Sequence, residues 1–163
     1  MYHLNTEAPD DWWDVEYLLD NSFGPGRTGL SSYQLRLDVE PVAELCRVAH
    51  DDDGVLAGAI RFWPIRIADQ TGLLLGPIAV HPTRQGEGLG AQLMADALER
   101  AVALGWRWVV LVGDEPYYRR FGFTRSAAQD ITFPPPTNPD RILARSLVES
   151  GLDGVAGAVT RAG

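Results

Sequence analysis

The stretch Leu73–Ala91, LLLGPIAVHPTRQGEGLGA, decides how this chain is to be read. It opens as a nearly unbroken apolar run, the pattern of a strand buried on both faces. It ends in Gly86, Gly88 and Gly90, immediately before a helical stripe. Leu89, Leu93, Met94, Ala97, Leu98, Ala101 and Val102 recur at i, i+3 and i+4 and stop at Gly105. A strand that turns through glycines into a helix presents bare amides at the helix N-terminus. Such amides concentrate partial positive charge, and glycines remove the Cβ atoms that would hold an anion away. The arrangement suits a pyrophosphate, and the question is whose.

Three readings compete. A Walker A loop is excluded, because no Gly-Lys-Ser/Thr follows to reach terminal phosphates. The dinucleotide fingerprint G-x-G-x-x-G/A fits by letters, and the acidic pair Asp114 and Glu115 follows the next strand where a ribose-binding carboxylate would be sought. Two features count against it. HPTRQ separates the apolar strand from Gly86, and the unit follows antiparallel strands instead of opening a doubly wound sheet. The third reading is a plain strand-to-helix turn, against which stand Arg84 and Gln85 directly before the loop.

Outward from this stretch, YHLNT reads as a first strand and residues 10–23 as a helix with Trp13, Tyr17, Leu18 and Phe23 at helical spacings. FGPGRTG is a turn-rich loop, followed by a short helical piece over 31–38. ELCRVAH and GVLAGAIRFWPI, joined by DDDG, form an antiparallel hairpin. WRWVVLVG is a further buried strand; EPYYRRF a short helix; GFTRS a turn-and-strand piece; RILARSL a late strand. The Gly/Ala-rich tail 148–163 receives no element. This order predicts a single α+β domain over 1–163, its core about 2–147, with a mixed sheet whose one parallel crossover is strand–helix–strand in mid-chain.

Composition narrows the function classes. The 163 residues are 45% apolar and 22% charged, ordinary for a globular domain. Fourteen Lys and Arg against 22 Asp and Glu give a formal charge of −8, which disfavours nucleic acid and anionic lipid as partners. No apolar run reaches the roughly 18 residues of a membrane span. The N-terminus lacks the basic and apolar regions of a secretory signal, and Cys46 stands alone, so the expected compartment is the cytoplasm. No His, Cys or Asp cluster has metal-ligand spacing, so no metal is expected. Cys46 reads as core and His81 as a turn residue.

Gln85-Gly86-Glu87-Gly88-Leu89-Gly90 resembles the R/Q-x-x-G-x-G/A acetyl-CoA signature of the GNAT superfamily of N-acetyltransferases, and Tyr118-Arg119-Arg120-Phe121-Gly122-Phe123 resembles its Tyr-x-x-x-Gly-Phe pattern. VLVGDEPYYRRFGF is similar to a branch of small bacterial predicted acetyltransferases. The resemblance implies the αβα-layered GNAT fold, its strands splayed at the acetyl-CoA site, and transfer from acetyl-CoA to the primary amine of a small-molecule or peptide acceptor. On that basis Ile78, Ala79 and Val80 hold the pantetheine arm through backbone groups. Gln85, Gly86, Glu87, Gly88, Leu89, Gly90 and Ala91 hold the pyrophosphate, with Arg84 adding charge. The amide of Ala79 or Val80 faces the oxyanion. Tyr118 matches the family's general acid, the alternative being a packing aromatic. Asp114 is the first candidate base, the alternative being a helix cap. Tyr117 is assigned to packing and at least one of Arg119 and Arg120 to the surface. The acceptor region falls on 23–33 and 61–66, and the family's habits allow a homodimer. A non-catalytic acyl-CoA-binding module and a dinucleotide-binding enzyme are the alternatives.

Overall fold

The computed structural model describes residues 1–24, 26–27 and 31–162, without the side chains of 31 and 32. The elements are β1 (His3–Thr6), α1 (Trp12–Phe23), α2 (Ser31–Gln34), β2 (Arg47–His50), β3 (Leu56–Ile67), β4 (Gln70–Val80), α3 (Leu89–Ala103), β5 (Trp108–Val112), α4 (Glu115–Tyr118), β6 (Ile131–Thr132), β7 (Ile142–Ser146) and β8 (Gly157–Arg161). The loop expected over 23–29 falls partly outside the described residues. The mixed sheet runs β1-β2-β3-β4-β5-β7, with β8 alongside the far end of β3 and β6 beside β8. The β2–β3–β4 meander is antiparallel and β4–β5 is parallel. The α+β expectation therefore holds.

Alternation along the strands divides the core into two faces. On one, α3 lays Leu89, Leu93, Met94, Ala97, Leu98 and Ala101 over Ile60, Phe62, Leu73, Leu75, Val109 and Leu111. Val102, expected on this stripe, is 44% exposed, beyond the edge of the contact. On the other face, α1 packs Val15, Leu18 and Leu19 onto Val48, Ala59 and Ala79. Trp13 and Tyr17, read from their spacing as part of the inner stripe, point to solvent at 76% and 70% exposure. The sheet beneath offers small side chains, so the helix settles close through aliphatic residues and turns its aromatics outward.

Three corrections concern the C-terminal third. GFTRS contributes only the single bridge Thr124↔Ala144. Ile131–Thr132 forms a strand that no sequence pattern announced. The tail becomes β8, pairing Val159, Thr160 and Arg161 with Ile67, Arg66 and Ile65, while Val155 and Val159 join the core around Trp108. The sheet thus extends past residue 147.

Trp108 is fully buried, and its indole occupies the space where Gly72 of the adjacent β4 lacks a side chain. A Cβ at Gly72 overlaps the ring, so Gly72→Ala is expected to destabilise the protein by about 1–3 kcal/mol through overpacking. Urea denaturation measures this; an unchanged midpoint would show that the indole can move aside.

Candidate active site

β4 and β5 pair only at Leu73↔Val109 and Leu74↔Val110. Immediately beyond, β4 carries a bulge: Phe62 faces Leu75 and Ile60 faces Ile78, so Gly76 and Pro77 together oppose Arg61. Gly76 has φ +125°, a conformation that favours glycine, and Pro77 has no N–H to donate. A bulge bends its strand and redirects the side chains next to it. The bend falls where β4 and β5 part, and the edge of β4 from Ile78 to Val80 is left without a strand partner on that side among the described residues.

The amide of His81 donates to the carbonyl of Ala57 on β3. Backbone groups alternate along a strand, so Ala79 also addresses β3 while Ile78 and Val80 address the gap. Of the two oxyanion donors considered, Val80 therefore faces the gap and Ala79 does not. The Val80 carbonyl already accepts from Gln85 Nε2 at 3.3 Å.

α3 begins at the other side of the opening. Its N-cap residue Gly88 has φ +78° and Gly86 has φ +86°, and no side chain among the described residues caps the helix. The first amides of α3 are thus open to a ligand. Between this terminus and β4 lies a cavity of about 610 Å³ bordered by Ile78, Ala79, Val80, Arg84, Gln85, Gly86, Gly88, Leu89, Gly90 and Ala91 from the expected set, with Phe23, Tyr117, Tyr118 and Arg120.

Several expected roles change at this point. Glu87 does not border the cavity; its carboxylate accepts from the Tyr2 hydroxyl at 3.0 Å. Arg84 does border it, but its guanidinium is paired with Asp51 at 2.6 Å, so its charge is already compensated. Asp114 is not brought to the cavity. Its carboxylate is paired with Arg141 at 2.9 Å and its side chain is 71% exposed. It occupies the N-cap position of α4 without a side-chain capping bond. Among the described residues no Asp or Glu borders this cavity.

Tyr118 sits at the junction. It borders both the large cavity and a second one of about 100 Å³, and its hydroxyl makes no hydrogen bond among the described residues. Burial pushes its phenol up to about 12, with further upward pressure from Tyr117 and Asp114. Gly113 makes room for the ring: a Cβ at that position would overlap it.

Tyr117 is a site residue that sequence reasoning assigned to packing. Its hydroxyl lies 3.1 Å from where a Cβ on Gly90 would stand, over the first turn of α3. Arg120 stacks on its ring at 4.4 Å and borders the cavity, whereas Arg119 pairs with Glu115 on the surface. The signal available was the pair of tyrosines itself: on a helix of one turn, adjacent residues can both border one opening. Trp63 borders a different cavity, with Trp12 and Cys46. Among the described residues no cluster of three or more His, Cys, Asp or Glu converges on a metal position, and no helix is long and apolar enough to cross a membrane.

Comparison with known proteins gives the following matches. Residues 43–125 match the family model described as an acetyltransferase (GNAT) domain. An Escherichia coli K12 protein, the uncharacterized N-acetyltransferase YhbS, is 30% identical over 158 residues, 96% of this chain and 93% of that one. A crystal structure of the GNAT family N-acetyltransferase YhbS from Escherichia coli in complex with CoA is similar with a TM-score of 0.85 and 29% identity, covering 98% of this chain and 89% of that chain. A GNAT family acetyltransferase from Brucella melitensis in complex with acetyl-CoA follows at TM-score 0.73 and 27% identity, covering 98% and 95%.

Proposed function

The chain belongs to the GNAT acetyltransferase family, and from that premise we propose that it transfers the acetyl group of acetyl-CoA directly to a primary amine, with Tyr118 as general acid. The observation that carries the proposal is the junction at Tyr118. One tyrosine, with its hydroxyl uncommitted, borders both the cavity at the α3 terminus and the smaller cavity beside it.

In this reading the amides of Leu89, Gly90 and Ala91 hold the pyrophosphate, and Gly86 and Gly88 let the backbone approach it. Ile78 and Val80 pair with the pantetheine arm as an added strand would, which supports the thioester at the splay. The neutral amine attacks the thioester carbonyl carbon; the C–N bond forms and the C–S bond breaks. The amide of Val80 stabilises the developing oxyanion. The departing thiolate takes the phenolic proton of Tyr118, the extra proton on the attacking nitrogen leaves to water, and the Tyr118 phenolate takes a proton back from water, so the cycle closes with CoA as the free thiol. Holding both reactants in line supplies several kcal/mol of the barrier lowering, up to roughly 7–11 in ideal cases. The acceptor enters as the free amine; among the described residues no Asp or Glu borders either cavity to deprotonate it.

A thermal-shift and turnover experiment tests the proposal. Acetyl-CoA is expected to raise the melting temperature, as any ligand bound only to the folded state does, and NAD is not. An amine panel monitored by free thiol is expected to release CoA. Stabilisation by NAD without stabilisation by CoA would return the glycine loop to the dinucleotide reading. Binding of CoA without thiol release from any amine would leave a non-catalytic acyl-CoA module.

A further inference from the structure

The second cavity, of about 100 Å³, shares Phe23, Ile78 and Tyr118 with the first and is completed by Tyr33, Arg36, Gly76 and Pro77 among others. Arg36 is the unusual member. Only 9% of it is exposed, and its Nε and Nη1 are buried with no acceptor among the described residues. Its guanidinium lies 4.0 Å over the Tyr33 ring and 5.7 Å from the Trp63 ring, so its face is covered, while Nε and Nη1, the donors on either side of Nη2, are unmet among the described residues. Trp63 Nε1 is a second buried donor without an acceptor among the described residues. The β4 bulge passes close by: a Cβ on Gly76 would stand 3.5 Å from Arg36 Nη2.

The neighbouring carboxylates are committed elsewhere. Glu7 and Glu16 hold Arg61, and Glu16 and Asp20 hold Arg27, whose Nη1 also donates to the Tyr33 hydroxyl at 2.8 Å. None of them reaches Arg36. Burial lowers Arg36 to about 10, which leaves it charged at neutral pH. A buried, charged donor edge without a partner is strongly unfavourable in a folded protein unless something else satisfies it.

We infer that Arg36 is the docking point for a carboxylate on the acceptor, and hence that the acceptor is a small amino carboxylic acid whose amine faces Tyr118. The inference rests on the acetyl-transfer reading for the amine half alone. Nη2 together with Nε, or with Nη1, forms an edge that matches a planar carboxylate bidentately, and the single charge of Arg36 is balanced by a single negative charge. A phosphate, at roughly −1.5 to −2 near neutral pH, leaves charge uncompensated in so small a cavity.

The test compares the standard α-amino acids, β-alanine and γ-aminobutyrate, each beside its carboxamide, with acetyl-CoA and a free-thiol readout. In the wild type at least one acid is expected to exceed its amide in kcat/KM by roughly 10- to 100-fold, the factor of a hydrogen bond to a charged group. Arg36→Met is expected to bring that pair to parity without loss of CoA binding, and to melt at or above the wild-type temperature because a buried unpaired charge is gone. Arg36→Lys keeps the charge without the fork and is expected to lose most of the preference, which covers the case that Arg36→Met does not fold. Calorimetry with the N-acetylated acids in the presence of CoA reads the same site without turnover: they are expected to bind the wild type and not Arg36→Met.

Amides accepted as readily as acids, phosphoethanolamine preferred over every acid, or a preference that survives both substitutions would overturn the inference. No thiol release from any amine, with N-acetyl acids still bound through Arg36, would remove the transferase reading and keep the site. Thiol release indifferent to the carboxylate would do the reverse.

Discussion

Tyr118→Phe is expected to lower kcat for acetyl transfer by roughly 10²–10⁴-fold, the range that a positioned general acid supplies. The affinity for CoA and the melting temperature are expected to stay at the wild-type level. The hydroxyl has no protein partner among the described residues, so its removal orphans nothing, and the ring keeps its edge contacts with Tyr117 and Phe123 at 4.9 and 6.3 Å. Because burial pushes this phenol up to about 12, the proton is in place throughout the neutral range, and deprotonation of Tyr118 produces no alkaline fall in rate between pH 6 and 9. A high pKa also makes a weak acid, and an alkyl thiol titrates near 8.5 in water. The same desolvation raises the pKa of a thiolate leaving within the cavity, which brings donor and acceptor closer together. Wild type and Tyr118→Phe should therefore both gain rate as the amine loses its own proton, the variant with a much lower plateau. Full activity of the variant would end the general-acid role, and an alkaline limb that vanishes with the hydroxyl would contradict the raised pKa.

The centre of the molecule was legible because its physics is local. The apolar run of β4, the glycines and the stripe of α3 each act within a few residues, and together they specify a strand, an uncapped helix terminus and a parallel return strand. Gly76-Pro77 inside that apolar run, where proline cannot donate and glycine tolerates a positive φ, carried a sign of the bulge that the reading of the run as one unbroken strand passed over. What was not legible depends on pairing across the chain. Asp114 looked like a base because it ends a strand at the rim, yet Arg141, 27 residues later, holds it outward. Arg84 looked like free charge until the β2–β3 turn brought Asp51 to it. Arg36 carried no signal at all. A single arginine in YQLRLD reads as surface, and only the closure of α1, β3 and β4 around it turns it into a buried, unmatched donor.

Gly90→Val separates the proposed pyrophosphate cradle from an ordinary tight turn. A Cβ on Gly90 would stand 3.1 Å from the Tyr117 hydroxyl and 3.7 Å from Val80 Cγ2, both on the cavity wall, so a branched side chain enters the space where the first amides of α3 point. Valine in a helix costs under about 1 kcal/mol of propensity, so the fold is retained. The ligand loses at least two charge-assisted hydrogen bonds, and CoA affinity is expected to fall roughly 100-fold or more. Gly86→Ala supplies the contrast: its Cβ meets nothing within 4 Å, but φ is +86°, so its cost falls on backbone conformation and on the melting temperature before it falls on the cavity. Pantetheine, which lacks the pyrophosphate, completes the cycle. Its affinity should differ little between wild type and Gly90→Val if the defect lies at the phosphates, whereas equal losses for CoA and pantetheine would place the obstruction along β4. Retention of full CoA affinity by Gly90→Val, measured by calorimetry on protein of wild-type stability, would reduce QGEGLGA to a turn and take the assigned role of the α3 terminus with it.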